Sequence, residues 1–129
     1  MVIRLAGCNL YKDNSVLMLH RIDSGHWEFP GGKVREGEDL ELTAARETEE
    51  EIGCKIRIIK YLGSVPFCHK EKEFESNQFD AEIIEGEPEI KEKDIFDDMR
   101  YIPIKEFEKM NLAPNAKVYY ENHLKELVE

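Results

Sequence analysis

From Val2 to Tyr11 apolar and polar residues are mixed, with Val2 and Ile3 early, which predicts a first strand. Lys12-Asp13-Asn14-Ser15 supplies turn chemistry, and Val16-Leu17-Met18-Leu19 is a short apolar run suited to a buried second strand, so the two predict a hairpin. After the loop Asp23-Ser24-Gly25-His26, Trp27-Glu28-Phe29 reads as a brief extended piece, and Pro30-Gly31-Gly32 is expected to break regular structure. The pattern becomes helical from Asp39 to Ile52. Asp39 suits the N-cap, Glu38 and Glu41 suit the positive end of the helix dipole, and Gly53 suits the C-terminal stop. Leu42, Ala45, Thr48 and Ile52 fall on one side, the expected core face. Lys55 to Val65 and Gln78 to Ile84 read as strands joined by a solvated, charged hairpin end from His69 to Asn77. Gly86 and Pro88 punctuate the chain before a strand from Met99 to Ile104 and a short helix from Lys105 to Met110. A last helix is expected from Pro114 to Leu127, with Val118, Leu124 and Leu127 partly on one side. This order predicts a mixed α/β sandwich in which helices cover one sheet.

At 129 residues the chain has the size of one domain, expected to span 1–129. The formal net charge of −10 argues against a sequence-independent grip on a nucleic-acid polymer, which relies on basic side chains displacing counterions from phosphates. It leaves room for small phosphorylated ligands bridged to acidic groups by divalent cations. No run approaches the roughly 20 apolar residues of a membrane helix, and the start MVIRLAGCNLY lacks the layout of a signal peptide. Cys8, Cys54 and Cys68 are odd in number and without CxxC spacing, so a reducing cytoplasm is the expected location. The sequence is compatible with a homodimer.

Within the predicted helix, Glu47, Glu50 and Glu51 stand at i, i+3 and i+4 and therefore share one face. Like charges so placed destabilise a helix by a few tenths of a kcal/mol per pair, roughly. Arg46 can offset part of this by pairing with Glu50, and hard cations such as Mg²⁺ or Mn²⁺ can offset the rest while using the carboxylates as ligands. Because 21 residues are Glu, any single pair of them carries little weight. The full spacing carries more: Gly32, Glu38, Arg46, Glu47, Glu50, Glu51 and Gly53 form G-x5-E-x7-R-E-x-x-E-E-x-G. Chance would produce it with a probability on the order of 10⁻⁵.

This pattern resembles the Nudix box of the Nudix hydrolases, and the whole chain resembles a minimal Nudix domain. All seven fixed positions match, while Thr48 and Cys54 stand where the family usually has bulky aliphatic residues. The resemblance implies a Nudix-like α/β/α sandwich with a mixed β-sheet and metal-dependent hydrolysis of a nucleoside diphosphate linked to a further group. By position, it implies that Arg46 orients the carboxylates, that Glu47, Glu50 and Glu51 are ligands, and that the Gly32 carbonyl adds another. Which glutamate serves as general base stays open. A further carboxylate from outside the box is expected at Glu92, with Asp97 and Asp98 as alternates. The run WEFPGGKVREGE is most similar to the MutT-type nucleoside triphosphate pyrophosphohydrolases. That likeness implies Arg21 for phosphate contact, Asn115 for base reading and Phe29 for the base pocket. The expected reaction converts a nucleoside triphosphate, including oxidised purine forms, to monophosphate and pyrophosphate. Dinucleoside polyphosphate or ADP-sugar hydrolysis, and a non-catalytic nucleotide-binding module, are the alternatives.

Overall fold

The computed structural model describes residues 1–128, and the packing expected of Leu127 lies outside the residues whose side chains are described. Its strands are β1 (Val2–Lys12), β2 (Ser15–Arg21), β3 (Trp27–Glu28), β4 (Gly31–Lys33), β5 (Lys55–His69), β6 (Lys72–Glu85) and β7 (Phe96–Pro103). The helices are α1 (Leu40–Ile52) and α2 (Pro114–Tyr119). β1 runs parallel to β6 and antiparallel to β4, and β5 pairs antiparallel with β6. β2 is flanked by β3 and β7, both antiparallel. β1 and β2 pair only beside their turn, at Tyr11–Val16 and Lys12–Ser15, and then separate. The mixed sheet is thus split into two wings, with the residues 27–33 crossing from one to the other.

Period-two alternation fixes the layers. Ala6, Cys8 and Leu10 of β1 and Leu17 and Leu19 of β2 face one core, which α1 closes with Ala44 and Ile52. Val16 and Met18 face the opposite core, closed by Phe107, Ala116, Tyr119 and Leu124. Helices therefore cover both faces, as an α/β/α sandwich requires. Thr48 and Cys54, the small residues at usually aliphatic positions, are fully buried; the Thr48 hydroxyl donates to Cys8 Sγ at 3.6 Å.

α1 begins and ends where the local chemistry predicts. Asp39 caps it by accepting from the Leu42 N–H at 2.7 Å, and Gly53 closes it in the left-handed conformation at φ 74°. Its core face differs from the expected one. Thr43, Ala44, Thr48 and Ile52 are buried, whereas Leu42 is 55% exposed and Ala45 only half-buried. The helix is rotated so that small residues meet the sheet and Glu51 is carried inward.

Other corrections concern boundaries. Pro30-Gly31-Gly32 does not end regular structure: Gly31 and Gly32 form β4, opposite Gly7 and Ala6. The segment His69 to Asn77 is mostly strand, and the turn is confined to Lys70 and Glu71, both at positive φ. β7 begins at Phe96 rather than Met99, and the short helix expected from Lys105 to Met110 is a 3₁₀ helix at Ile104–Lys109. The last helix starts at Pro114 as expected, then loosens into a π turn at Tyr120–Leu124 and tightens into 3₁₀ geometry at Lys125–Val128. No helix among the described residues is long and apolar enough to cross a membrane.

Candidate active site

Arg46 is the hub of the acidic helix. Its Nε and Nη2 donate to the two oxygens of Glu38 at 2.7 and 2.9 Å, a bidentate fork across the start of the helix. Its Nη1 donates to Glu47 at 2.9 Å and to both oxygens of Glu50 at 3.3 Å. Pairing with Glu50 agrees with the sequence, while the stronger partner is Glu38. Glu38 also accepts from the Thr43 hydroxyl at 2.6 Å and from the Arg35 N–H at 3.2 Å. The bonds from Arg46 and then Thr43 hold its carboxyl down to about 2. A carboxyl with a depressed folded-state value contributes stability that is present above its unfolded value and lost as pH falls through the folded one. Thermal melts of Glu38→Gln should therefore converge on those of the parent between about pH 4.3 and pH 2, and lie below them at neutral pH. Coincident melts at pH 7 would remove Glu38 as the anchor of Arg46.

Glu47 and Glu51 meet β4 from the helix side. The Gly31 N–H donates to Glu51 Oε1 at 2.9 Å, and the Glu47 carboxylate lies against Gly32. Glu51 is only 6% exposed. Burial above all, then the charges of Glu28, Glu47 and Glu92, push its carboxyl well above the usual range despite the Gly31 bond. Burial also raises Glu47, helped by the charge of Glu50 and opposed by Arg46. Glu92 is raised by burial and then by Glu47 and Glu50.

These acids line one edge of a cleft of about 410 Å³ that opens where β1 and β2 part. Glu47, Glu50, Glu51 and Glu92 all reach it, as does the Gly32 backbone. Asp97 instead pairs with His20 at 2.6 Å, and Asp98 caps the Met99 N–H and pairs with Arg100. Neither lines the cleft. Arg21 does, held by Glu28 at 3.0 Å and Asp23 at 3.1 Å, and so does Asn115. Phe29 borders the cleft while packing edge-on against Tyr119 at 5.8 Å in the second core.

The chemistry of this donor set fits a hard divalent cation. Several carboxyls, each raised by burial and by its neighbours' charge, leave an excess of negative charge that Arg46 alone does not neutralise. Carboxylate and carbonyl oxygens suit Mg²⁺ or Mn²⁺. Among the described residues, no three acidic, His or Cys side chains already stand together in ligand geometry. Arg46 holds Glu47 and Glu50 instead.

Sequence reasoning missed two groups of site residues. Glu28 stands in the cleft beside Arg21 and adds its charge to the environment of Glu51. Its only signal was its place two residues before Pro30. Ser76 and Gln78 lie on the cleft floor in β6, Gln78 in a stretch that reads as an ordinary strand and Ser76 in the segment expected to be a solvated hairpin end.

Comparison with known proteins agrees with this geometry. The chain is 43% identical over 44 residues to the 8-oxo-dGTP diphosphatase of Buchnera aphidicola, covering 34% of each chain. It is 42% identical over 67 residues to YtkD of Bacillus subtilis, covering 52% of this chain and 42% of that one. The matched region thus spans less than half the length of these relatives. The crystal structure of a MutT NUDIX hydrolase from Burkholderia pseudomallei superposes with a TM-score of 0.85 over 94% of this chain and 97% of that one, at 23% identity, which establishes the fold. The NUDIX domain model matches residues 3–123, and the chain belongs to the NUDIX domain family.

Proposed function

We propose that residues 1–129 form a single hydrolase domain that cleaves a phosphoric anhydride bond of a nucleoside triphosphate, oxidised purine forms included, giving the monophosphate and pyrophosphate. The observation that carries this reading is the arrangement of Glu47, Glu50 and Glu51 on one helix, the first two clamped by Arg46 and the third held by the Gly31 N–H, all facing the same cleft as Arg21 and Asn115. The identity to the Buchnera aphidicola 8-oxo-dGTP diphosphatase supports the substrate class.

Glu47, Glu50, Glu51, Glu92 and the Gly32 carbonyl are the groups that would hold Mg²⁺ or Mn²⁺. When bound, such a cation lowers the pKa of water and neutralises phosphate charge. Arg46 keeps Glu47 and Glu50 from repelling each other out of position. A buried glutamate with a raised carboxyl value is suited to take the proton from the attacking water, and Glu51 is the most buried of the three. Arg21, steadied by Glu28, presents a guanidinium to the phosphate chain, and Phe29 and Pro30, between β3 and β4, line one side of the cleft.

Turnover of a panel of canonical and oxidised nucleoside triphosphates, dinucleoside polyphosphates and ADP-ribose, with Mg²⁺ or Mn²⁺ and product analysis, tests this reading. Triphosphates should yield monophosphate and pyrophosphate, and Glu50→Gln should slow them by about 10²-fold or more. Preferred cleavage of dinucleoside polyphosphates or ADP-ribose would replace the substrate class. No turnover of any compound, with Glu50→Gln binding nucleotide as well as the parent, would make the protein a binding module.

A further inference from the structure

The floor of the cleft carries polar groups that the carboxylate edge does not use. β1 and β6 run parallel with Leu5 opposite Ser76, Gly7 opposite Gln78 and Asn9 opposite Asp80. Ser76, Gln78 and Asp80 therefore stand in a row on the face turned towards α2. Gln78 is the chain's single glutamine and is 2% exposed. Its Nε2 donates to Asn9 Oδ1 at 2.8 Å, and Asn9 Nδ2 donates to the hydroxyls of Tyr11 and Tyr119, both at 3.2 Å. Gln78 Oε1 accepts from no group among the described residues, and it belongs to a side chain that lines the cleft.

The direction of these bonds decides which end of Gln78 the cleft meets. Asn9 Nδ2 is committed to the hydroxyls of Tyr11 and Tyr119, so Asn9 has only Oδ1 to offer Gln78, which must donate. The end of Gln78 left for the cleft is its carbonyl.

We propose that Gln78 reads the nucleobase of the substrate through Oε1, selecting a base edge that donates an N–H there, with Asn9, bonded to Tyr11 and Tyr119, holding its other end. Gln78 is the specificity residue. Gln78 lies two strands across the sheet from Gly31, where Glu51 is anchored, a separation of about 10 Å. Phosphates at the carboxylate edge would thus place the base over the floor. The side chain of Asn115, also lining the cleft, makes no hydrogen bond among the described residues and is free to read a second base position.

The inference rests on the triphosphate reading above, and the experiment separates the two. kcat/KM is measured with Mg²⁺ for three pairs in which the first member carries a base N–H donor group that the second lacks: ATP and purine riboside triphosphate, GTP and ITP, 8-oxo-dGTP and dGTP. The parent should prefer the N–H-bearing member of at least one pair by about tenfold. Gln78→Leu should bring that ratio close to one while still hydrolysing both members. Gln78→Met, which keeps the length of the side chain and removes its carbonyl, should lower the same ratio. It decides the matter by itself if Gln78→Leu does not fold. Ratios near one in the parent for all three pairs, or ratios unchanged in the variants, overturn the role of Gln78. Absence of triphosphate turnover in the parent overturns the reading beneath it, and the inference falls with it.

Discussion

Glu51→Gln is expected to lower kcat by about 10²- to 10⁴-fold while leaving the metal-free protein at least as stable as the parent. The two halves of this expectation come from one observation. Glu51 is buried, holds a single hydrogen bond from Gly31, and faces Glu28, Glu47 and Glu92, all of which oppose its ionisation. A glutamine keeps the shape, and its Oε1 still accepts from Gly31, so the fold loses nothing it needs. What disappears is the charge, and with it a proton acceptor and a hard oxygen ligand.

The stability half has a defined sign. A carboxyl whose folded value is raised contributes stability that is fully present below its unfolded value, about 4.3, and lost as pH rises through the folded value. In a chelator, the parent's melting temperature should fall as pH rises across that window, and the Glu51→Gln curve should be flatter. Mg²⁺ binds the folded protein and should restore the parent most at the upper end, with less effect on the variant. A variant that melts well below the parent in chelator at pH 8 would mean that Glu51 is a structural carboxylate, and its loss of activity would then say little about chemistry.

The features legible in the sequence are those written locally. Asp39, Gly53 and the glutamate spacing define α1 and its acidic face within one stretch, because capping and the helical period act over a few residues. The core face was not legible. A helix that packs through Thr43, Ala44 and Thr48 has no apolar stripe to mark its buried side, and exposed Leu42 points to the wrong one. β4 was hidden for a related reason: Gly31 and Gly32 carry no side-chain pattern, and their pairing with Gly7 and Ala6 is a contact between distant segments. Within the site, the acids of the helix could be read from spacing. The fork from Arg46 back to Glu38, the Glu28–Arg21 pair and the bond from Gln78 to Asn9 could not, since each depends on how separate elements meet.

Gly32→Ala should reduce kcat/KM by about 10²-fold with little loss of fold. An added Cβ at Gly32 would lie 2.5 Å from Glu47 Cδ and 2.7 Å from each carboxylate oxygen, far inside contact distance. The backbone of Gly32 is not in the left-handed region, so alanine is conformationally acceptable there, and the three nearest atoms the Cβ would meet all belong to Glu47. Glu47 can yield only by swinging away from β4, which also disturbs Arg46 and, through it, Glu50. The cost is thus predicted to arise from displacement of a carboxylate rather than from loss of one. A compensating change separates the two: Glu47→Asp shortens the side chain by one methylene and relieves the overlap. On its own it should lower activity, because the carboxylate retreats from the edge. Combined with Gly32→Ala it should cost less than the two single effects added together, since the alanine now fills the space the shorter acid vacates. Strict additivity in this cycle, or full activity in Gly32→Ala, would show that the seat of Glu47 on β4 has no part in catalysis. The glycine would then serve only the close pairing of β4 with β1.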